Sequence, residues 1–411
     1  MSRLVVVDPI SSGVDYVPKA LSRGMDVLVV LTPGLPPVFA SQAAALRASH
    51  PGVEFLDFPS GTPDRDFDSR FVPGDWDYVV CAGETGTAAA DHIRRLLDAT
   101  PRNAEPDEPR LDKFSAQQAL ERAGLRHIRS WCLSDRAGVD ELRGGPFPLV
   151  VKPTASAGTD GVRVVDSDEQ LAAAVEESLG NVNALGRSNE RLVVQEYVQG
   201  VEYVVDGCAY GDAWRAAAVC RYEKDLVNGV PVYRSLAWLD RDAIPDADRL
   251  EAYVSAILPA LGVHVGCFHA EFFRTADDWV MIEIGLRPHG GGHPRFTELV
   301  TGTSQIELEL DCVAAGGLAS GAMPPLLRRG GVAFFSVDRP VVFHADPGEA
   351  LAAVAGLAHS SISVRAGESA DPPRTLFDTF GLGFVVLLAE TEQQLADRAE
   401  LARAAFAGCH S

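Results

Sequence analysis

The stretch "CFHAEFFRTADDWVMIEIG", residues 267–285, decides how this chain is read. Two apolar runs flank a polar turn, and each run carries one glutamate, Glu271 and Glu283. Runs of this kind around a short polar segment signal an antiparallel hairpin. If residues 276–278 form a three-residue loop, Thr275 pairs with Trp279, Phe273 faces Met281 and Glu271 faces Glu283. Two opposed carboxylates on one face of a half-buried sheet repel each other unless a cation sits between them. Oxygen-only ligands suit Mg²⁺ or Mn²⁺, ions that take one or two carboxylates and complete their shell with substrate phosphates. The plainer alternative is a one-residue change of register that leaves one glutamate in solvent. Directly after the hairpin, "GLRPHGGGHPRF" (285–296) supplies Arg287, His289 and His293 around three consecutive glycines.

The rest of the chain bounds what such a site serves. At 411 residues the length suggests about three domains, at one per ~150 residues. Composition is 46% hydrophobic and 23% charged, which is ordinary for a globular protein. A net charge of −21 speaks against a general nucleic-acid binder, which needs a basic surface. An anionic ligand therefore requires a positive field built locally from a few Lys, Arg and backbone N–H groups. The seven cysteines are scattered singly with no C-x-x-C pair, so free thiols in a reducing compartment are expected. "MSRLVVVDPISSG" reads as a first strand and not a secretion signal, and no apolar run approaches the ~18 residues of a membrane span. A cytoplasmic location is expected, with no nucleic-acid or membrane partner; a homodimer is left open as the assembly.

Organisation follows from periodicity. "RLVVVD", a turn, "VDYVPKALSRG" and "MDVLVVL" alternate strand, helix and strand. "DYVVCAGETGTAAADHIRRLLDA" (77–99) repeats the pattern, giving a parallel, Rossmann-like α/β unit over residues 1–108. It lacks G-x-G-x-x-G after the first strand, which disfavours a dinucleotide site there. "TPRNAEPDEPR" (100–110) reads as a linker. An α+β region is expected over 109–325, and a small α+β cap over 326–411.

Within the middle region, "FPLVVKPTASAGTDGV" (147–162) delivers Lys152 at a strand end and then a loop of small residues with Ser156, Gly158 and Gly161. Backbone N–H groups of such a loop can approach phosphate oxygens while the lysine adds a point charge. A plain hairpin with a glycine turn reads similarly. Lys113 opens a helix after the linker. "RLVVQEYVQGVEYVVDG" (191–207) carries Glu196, Tyr197, Val198 and Glu202, a segment suited to an adenine edge and ribose hydroxyls.

In that order, Lys113, "VVKP…SAGTDGV", "VVQEYVQGVEY", "HAEFF" and "IEIGLRP" resemble the ATP-grasp superfamily over about 110–300. The flanking segments resemble the three-part plan of its carboxylate–amine ligases, and the chain looks most like the dipeptide-forming L-amino acid ligases. The resemblance implies an ATP-grasp fold whose lid spans about 136–198, ATP held at Lys113 and Lys152 under the 155–162 loop, and adenine at Glu196–Val198 with ribose at Glu202. It implies Mg²⁺ or Mn²⁺ at Glu271 and Glu283, and catalytic roles for Arg287 and Lys152. The family commonly has Asn where this chain has Gly285, so a second metal ion would find fewer protein ligands here.

The implied chemistry is ATP-dependent activation of a carboxylate as an acyl phosphate, then capture by an amine. Small-molecule carboxylate and amine partners are expected, with Glu84, His269, His289, Gly290, Gly291 and His293 as candidate substrate contacts. The N–H groups of the glycine loop are expected to close on a carboxylate or oxyanion. His289 and His293 are spaced i, i+4, but the intervening glycines disfavour a helical zinc pair. A carboxylase-type or purine-pathway enzyme is the alternative, and a non-catalytic nucleotide-binding protein on the same fold is the next.

Overall fold

Arg3–Val7 (β1) pairs in parallel with Asp26–Leu31 (β2) on one side and later with Tyr78–Cys81 (β4) on the other, while Glu54–Asp57 (β3) joins outside β2. The sheet order is β3-β2-β1-β4. Its strands are continuous apolar runs, Leu4–Val7 and Val79–Val80 being 2% exposed or less, because helices cover both faces. Successive strands build outward from β1 through β2 to β3, and β4 then returns to the other side of β1, so the order switches between β1 and β4; ligands bind at the carboxyl ends of strands at such points. In the computed structural model, residues 2–60, 65–156, 160–183, 186–227, 230–319, 321, 323–374 and 378–411 are described.

Ser130–Leu133 (β5), Leu149–Pro153 (β6), Arg163–Val165 (β7) and Leu192–Glu196 (β8) form a small antiparallel sheet ordered β5-β8-β6-β7. Helix Asp168–Ser178 packs on it through Leu171, Ala174 and Val175, capped by Ser167, whose hydroxyl accepts the Gln170 N–H. The largest sheet contains Val201–Tyr210 (β9), Ala213–Val227 (β10), Val230–Trp238 (β11), Val265–Arg274 (β12), Trp279–Gly285 (β13) and Arg329–Phe334 (β14). A two-stranded ribbon, Val341–Val342 (β15) with Ser369–Ala370 (β17), stands apart. Leu357–Ile362 (β16) and Gly383–Ala389 (β18) complete the eight-stranded order β13-β12-β9-β10-β11-β14-β18-β16. The C-terminal stretch is α+β as expected, and three of its strands extend the sheet that carries the glutamate hairpin.

The hairpin reaches its register by an unexpected route. The bonded turn is Thr275–Asp278, with Arg274 paired to Trp279, so the expected three-residue loop and the Thr275–Trp279 pair are not formed. Phe273 consequently faces Val280 and not Met281. Ile282 is then an extra residue on β13, a bulge that restores Glu271 opposite Glu283.

The proline-rich segment 100–110 is a clamp and not a loose linker. Asp91 accepts from Arg94 Nη1, Arg110 Nη2 and Asn103 Nδ2, each at 2.9 Å. Asn103 Oδ1 in turn accepts the His264 and Val265 N–H groups, and Arg110 Nη1 donates to the Leu261 carbonyl at 3.2 Å. This network ties the parallel sheet's last helix to the start of β12. Burial would raise the Asp91 carboxyl, but Arg94 and Arg110 outweigh it and hold it below the usual range. A depressed carboxyl adds stability above its unfolded value near ~3.9 and loses it as pH falls through the lower folded value. Asp91→Ala leaves two buried guanidinium groups uncompensated and is expected to cost ~3–5 kcal/mol at neutral pH, with the gap to the parent narrowing below pH ~4. Denaturant unfolding across pH measures this; a loss under ~1 kcal/mol at pH 7 contradicts it.

Candidate functional site

Lys113 begins helix Lys113–Arg122, whose first turn is capped by Asp112 accepting the Ser115 N–H at 2.8 Å. That start directs Lys113 Nζ toward β13, 3.4 Å from Glu283 Oε2, and lets it donate to the Ser156 carbonyl at 2.5 Å. Lys152, on β6, is 5% exposed. Its burial lowers the ammonium's pKa, while Glu283 is the strongest of the charges that oppose this. The two lysines and the opposed glutamates therefore form one cluster drawn from a helix, the small sheet and the central sheet.

Ser156 hydroxyl donates to the Asp160 carbonyl at 3.2 Å, which helps shape the end of the loop. Gly161 has φ +73°, and a Cβ there would lie 2.9 Å from Pro153 Cδ, so glycine is required on both counts. Gly158 lies outside the described residues. Glu196 ends β8 with its carboxylate accepting the Arg129 N–H at 3.2 Å, Tyr197 is 49% exposed, and Val198 is half-buried. The Tyr197 N–H is spent on the Pro148 carbonyl. Glu202 is buried, and Lys224 of β10 pairs with it at 2.6 Å. Burial raises the Glu202 carboxyl and Lys224 opposes that. Lys224 was not foreseen: in the sequence it is one charge among several in "RYEKD".

Arg287 and Glu84 come together. Arg287 Nε donates to Glu84 Oε2 at 2.8 Å, and its Nη1 to the Pro288 carbonyl at 3.1 Å. Glu84 comes from the turn after β4, at the switch point of the parallel sheet, so the pair spans two sheets. Gly285 is what permits this approach: a Cβ there would stand 2.9 Å from Glu84 Oε2. The carboxylate thus occupies space that a side chain at 285 would fill.

The glycine loop departs from expectation. The Gly291 and Gly292 N–H groups donate to the hydroxyls of Ser11 and Ser12 in the turn after β1, at 3.3 and 2.9 Å, and the Gly290 carbonyl accepts the His293 N–H. Here those two donors hold the loop to the parallel sheet instead of facing outward for an oxyanion. His289 and His293 are also no free loop histidines. Both are buried, their rings stack at 3.8 Å, and each has Nδ1 near Asp206 Oδ2. Helix His293–Thr301 begins only at the second of them, so they are not a helical pair. His269 bridges Asp206 and Glu271 through its two nitrogens. Burial would lower this imidazole, but the two carboxylates raise it to about 9. Burial would raise the Glu271 carboxyl, and His269 pulls it down instead.

Glu271 and Glu283 fit a hard divalent cation on their chemistry. Two part-exposed carboxylates oppose each other on adjacent strands, with the Lys113 ammonium near one and the His269 imidazole at the other.

The family description "ATP-grasp domain" matches residues 145–294, which include the small sheet's lysine, the glutamate hairpin and Arg287. Dapdiamide A synthase of Enterobacter agglomerans is 29% identical over 308 residues, covering 74% of this chain and 71% of that protein. Among solved structures, an L-amino acid ligase from Bacillus licheniformis superposes with a TM-score of 0.70 at 17% identity, over 98% of this chain and 97% of that one. A carboxyaminoimidazole ribonucleotide synthase from Aspergillus clavatus complexed with ATP superposes at 0.67 with 18% identity, over 99% of each chain. At such identities the structural likeness speaks for the fold, and the sequence matches carry the kinship. Residues 145–294 thus match the ATP-grasp domain, in a chain that resembles ATP-grasp ligases along most of its length.

Proposed function

We propose that this ligase activates the carboxylate of an amino acid as an acyl phosphate and joins it to an amine, forming an amide or peptide bond. The observation that carries the reading is the cluster itself: Lys113 Nζ stands 3.4 Å from Glu283, Glu283 faces Glu271, and Lys152 is buried beside them. The name of the similar L-amino acid ligase favours an amino-acid carboxylate over other acids. On this reading a carboxylate oxygen attacks the γ-phosphorus as the bridging oxygen leaves with ADP. The amine nitrogen then adds to the acyl carbon, phosphate departs, and the nitrogen loses a proton.

Each residue has a physical task in this scheme. Lys113 and Lys152 hold phosphate oxygens, and Lys152's burial strengthens its field by excluding water. Glu196, Tyr197, Val198 and Glu202 line the nucleoside side. Glu271 and Glu283 would hold Mg²⁺ or Mn²⁺, which when bound supplies charge neutralisation on the phosphates. Arg287 exchanges Glu84 for the moving phosphoryl group, stabilising charge that develops there. The domain limits 1–108, 109–325 and 326–411, with the lid at about 136–198, belong to the same proposal.

A screen of single and paired amino acids for ADP release tests the substrate class. The reading expects ADP only when a carboxylate donor and an amine are both present. ADP formation with bicarbonate and a ribonucleotide amine, and with no amino acid, contradicts it. Glu271→Gln and Glu283→Gln are each expected to abolish turnover with melting temperature kept near the parent's, because the amide matches the shape and lacks the charge. Near-parental turnover at equal Mg²⁺ removes the metal assignment. Arg287→Ala is expected to lower kcat by about 10²–10³, or ~3–4 kcal/mol, while ATP affinity changes little. Arg287→Lys should recover only part, since an ammonium lacks the planar fork. A stable Arg287→Ala enzyme with kcat within a few-fold of the parent reduces Arg287 to a structural partner of Glu84.

A further inference from the structure

A carboxylate inside a protein is tolerated only when paired and hydrogen-bonded. Asp206, on β9, is 1% exposed. Its Oδ1 meets His269 Nδ1 at 2.8 Å, and its Oδ2 meets His289 Nδ1 at 2.9 Å. The outer nitrogens of both rings are engaged in turn. His269 Nε2 reaches Glu271 Oε1 at 3.2 Å, and His289 Nε2 reaches the Tyr222 hydroxyl at 3.2 Å. The His289 backbone N–H is fixed as well, donating to Gln305 Oε1 at 2.9 Å. A continuous buried chain therefore runs from Tyr222 through His289, Asp206 and His269 to Glu271. The His269 and His289 rings also pack against each other, with centroids 4.1 Å apart and planes tilted by 42°.

We propose that Asp206 is a positioning residue: through His269 it orients Glu271, and through His289 it anchors the loop that follows Arg287, so that both sides of the site keep one register. The inference rests on the ligase reading for the roles of Glu271 and Arg287. Burial would raise the Asp206 carboxyl, but the histidines hydrogen-bonded to it hold it below the usual carboxylate range. A glutamate on a strand has several rotamers, and an imidazole clamped at its far nitrogen removes that freedom for the carboxylate it touches. A resident metal fits the same cluster less well. Both Asp206 oxygens lie at hydrogen-bond length from an imidazole nitrogen, and burial raises the nearby Cys220 thiol, disfavouring the thiolate a metal would need.

The test uses the full-length chain and reads Mn²⁺ binding in the presence of ADP by electron paramagnetic resonance, alongside turnover and melting temperature. Asp206→Asn is expected to weaken Mn²⁺ binding by about 10–100-fold, with metal-free ADP binding within about two-fold of the parent. His269→Gln, which keeps the buried carboxylate, is expected to weaken Mn²⁺ to a similar degree and serves if Asp206→Asn does not fold. The double variant should be no worse than the poorer single one, because both act on the same carboxylate. His289→Gln should lower kcat about ten-fold or more while Mn²⁺ affinity stays within a few-fold. Asp206→Asn and His269→Gln that both bind Mn²⁺·ADP like the parent, with only the melting temperature reduced, overturn the proposal; so does a stoichiometric transition metal in the purified protein. Mn²⁺ binding needs neither a carboxylate nor an amine, so a failed substrate screen defeats the ligase reading and leaves this comparison decisive. A parent chain that binds no Mn²⁺ with ADP overturns both the metal assignment and this inference.

Discussion

Two like charges cannot face each other across a strand pair in a half-buried sheet unless positive charge answers them, and Glu271 and Glu283 do face each other. Much of the surrounding architecture serves that one constraint. The helix beginning at Lys113 aims an ammonium at Glu283, and the small sheet brings Lys152 in beside it. His269 touches Glu271 from within its own strand. A chain with a net charge of −21 thus gathers cations beside its two facing glutamates where three elements converge. On the proposed reading, the repulsion that would otherwise strain the hairpin would become an attraction for a divalent cation and the phosphates that accompany one.

The second organising feature is the way the parallel sheet is held against this region. Glu84 reaches Arg287 from the turn after β4, and Ser11 and Ser12 hold the glycine loop from the turn after β1. Gly285, read in the sequence only as a missing ligand, also leaves the space in which the Glu84 carboxylate sits, so a side chain there would push that carboxylate aside. The Asp91 network fixes the same two bodies from the far side through Arg110 and Asn103. On the proposed reading, substrate specificity would fall to the turns at the carboxyl ends of β1 and β4, which face Arg287 and the loop after it.

Much of this was legible in the sequence because it depends on period and punctuation. Apolar runs of four to seven residues, interrupted by glycine-bearing loops, mark the parallel strands, and Asp112 before Lys113 marks a helix start that the cap hydrogen bond realises. The facing of Glu271 and Glu283 was reached from a loop of the wrong length. A four-residue turn and an extra residue at Ile282 offset each other, and neither a turn's exact bonding nor a bulge leaves a period-2 signature. Asp206 was passed over although it interrupts an apolar strand just as Glu271 does, since no motif draws attention to it. His289 and His293 read as loop histidines because glycines surround them, whereas long-range packing against β9 buries both. Pairings across hundreds of residues, such as Glu84 with Arg287, have no local trace at all.

The central claim is that a substrate carboxylate attacks the γ-phosphorus of ATP. Oxygen transfer tests it most directly. An amino acid that supports ADP release is labelled with ¹⁸O in its carboxylate and turned over with ATP and the amine, and the inorganic phosphate is examined by mass spectrometry. The account predicts one ¹⁸O in each phosphate formed from fully labelled substrate, because the attacking oxygen leaves with phosphorus when the amine displaces it. Phosphate that carries no ¹⁸O, released alongside a normal amide product, would contradict the acyl phosphate and the mechanism built upon it.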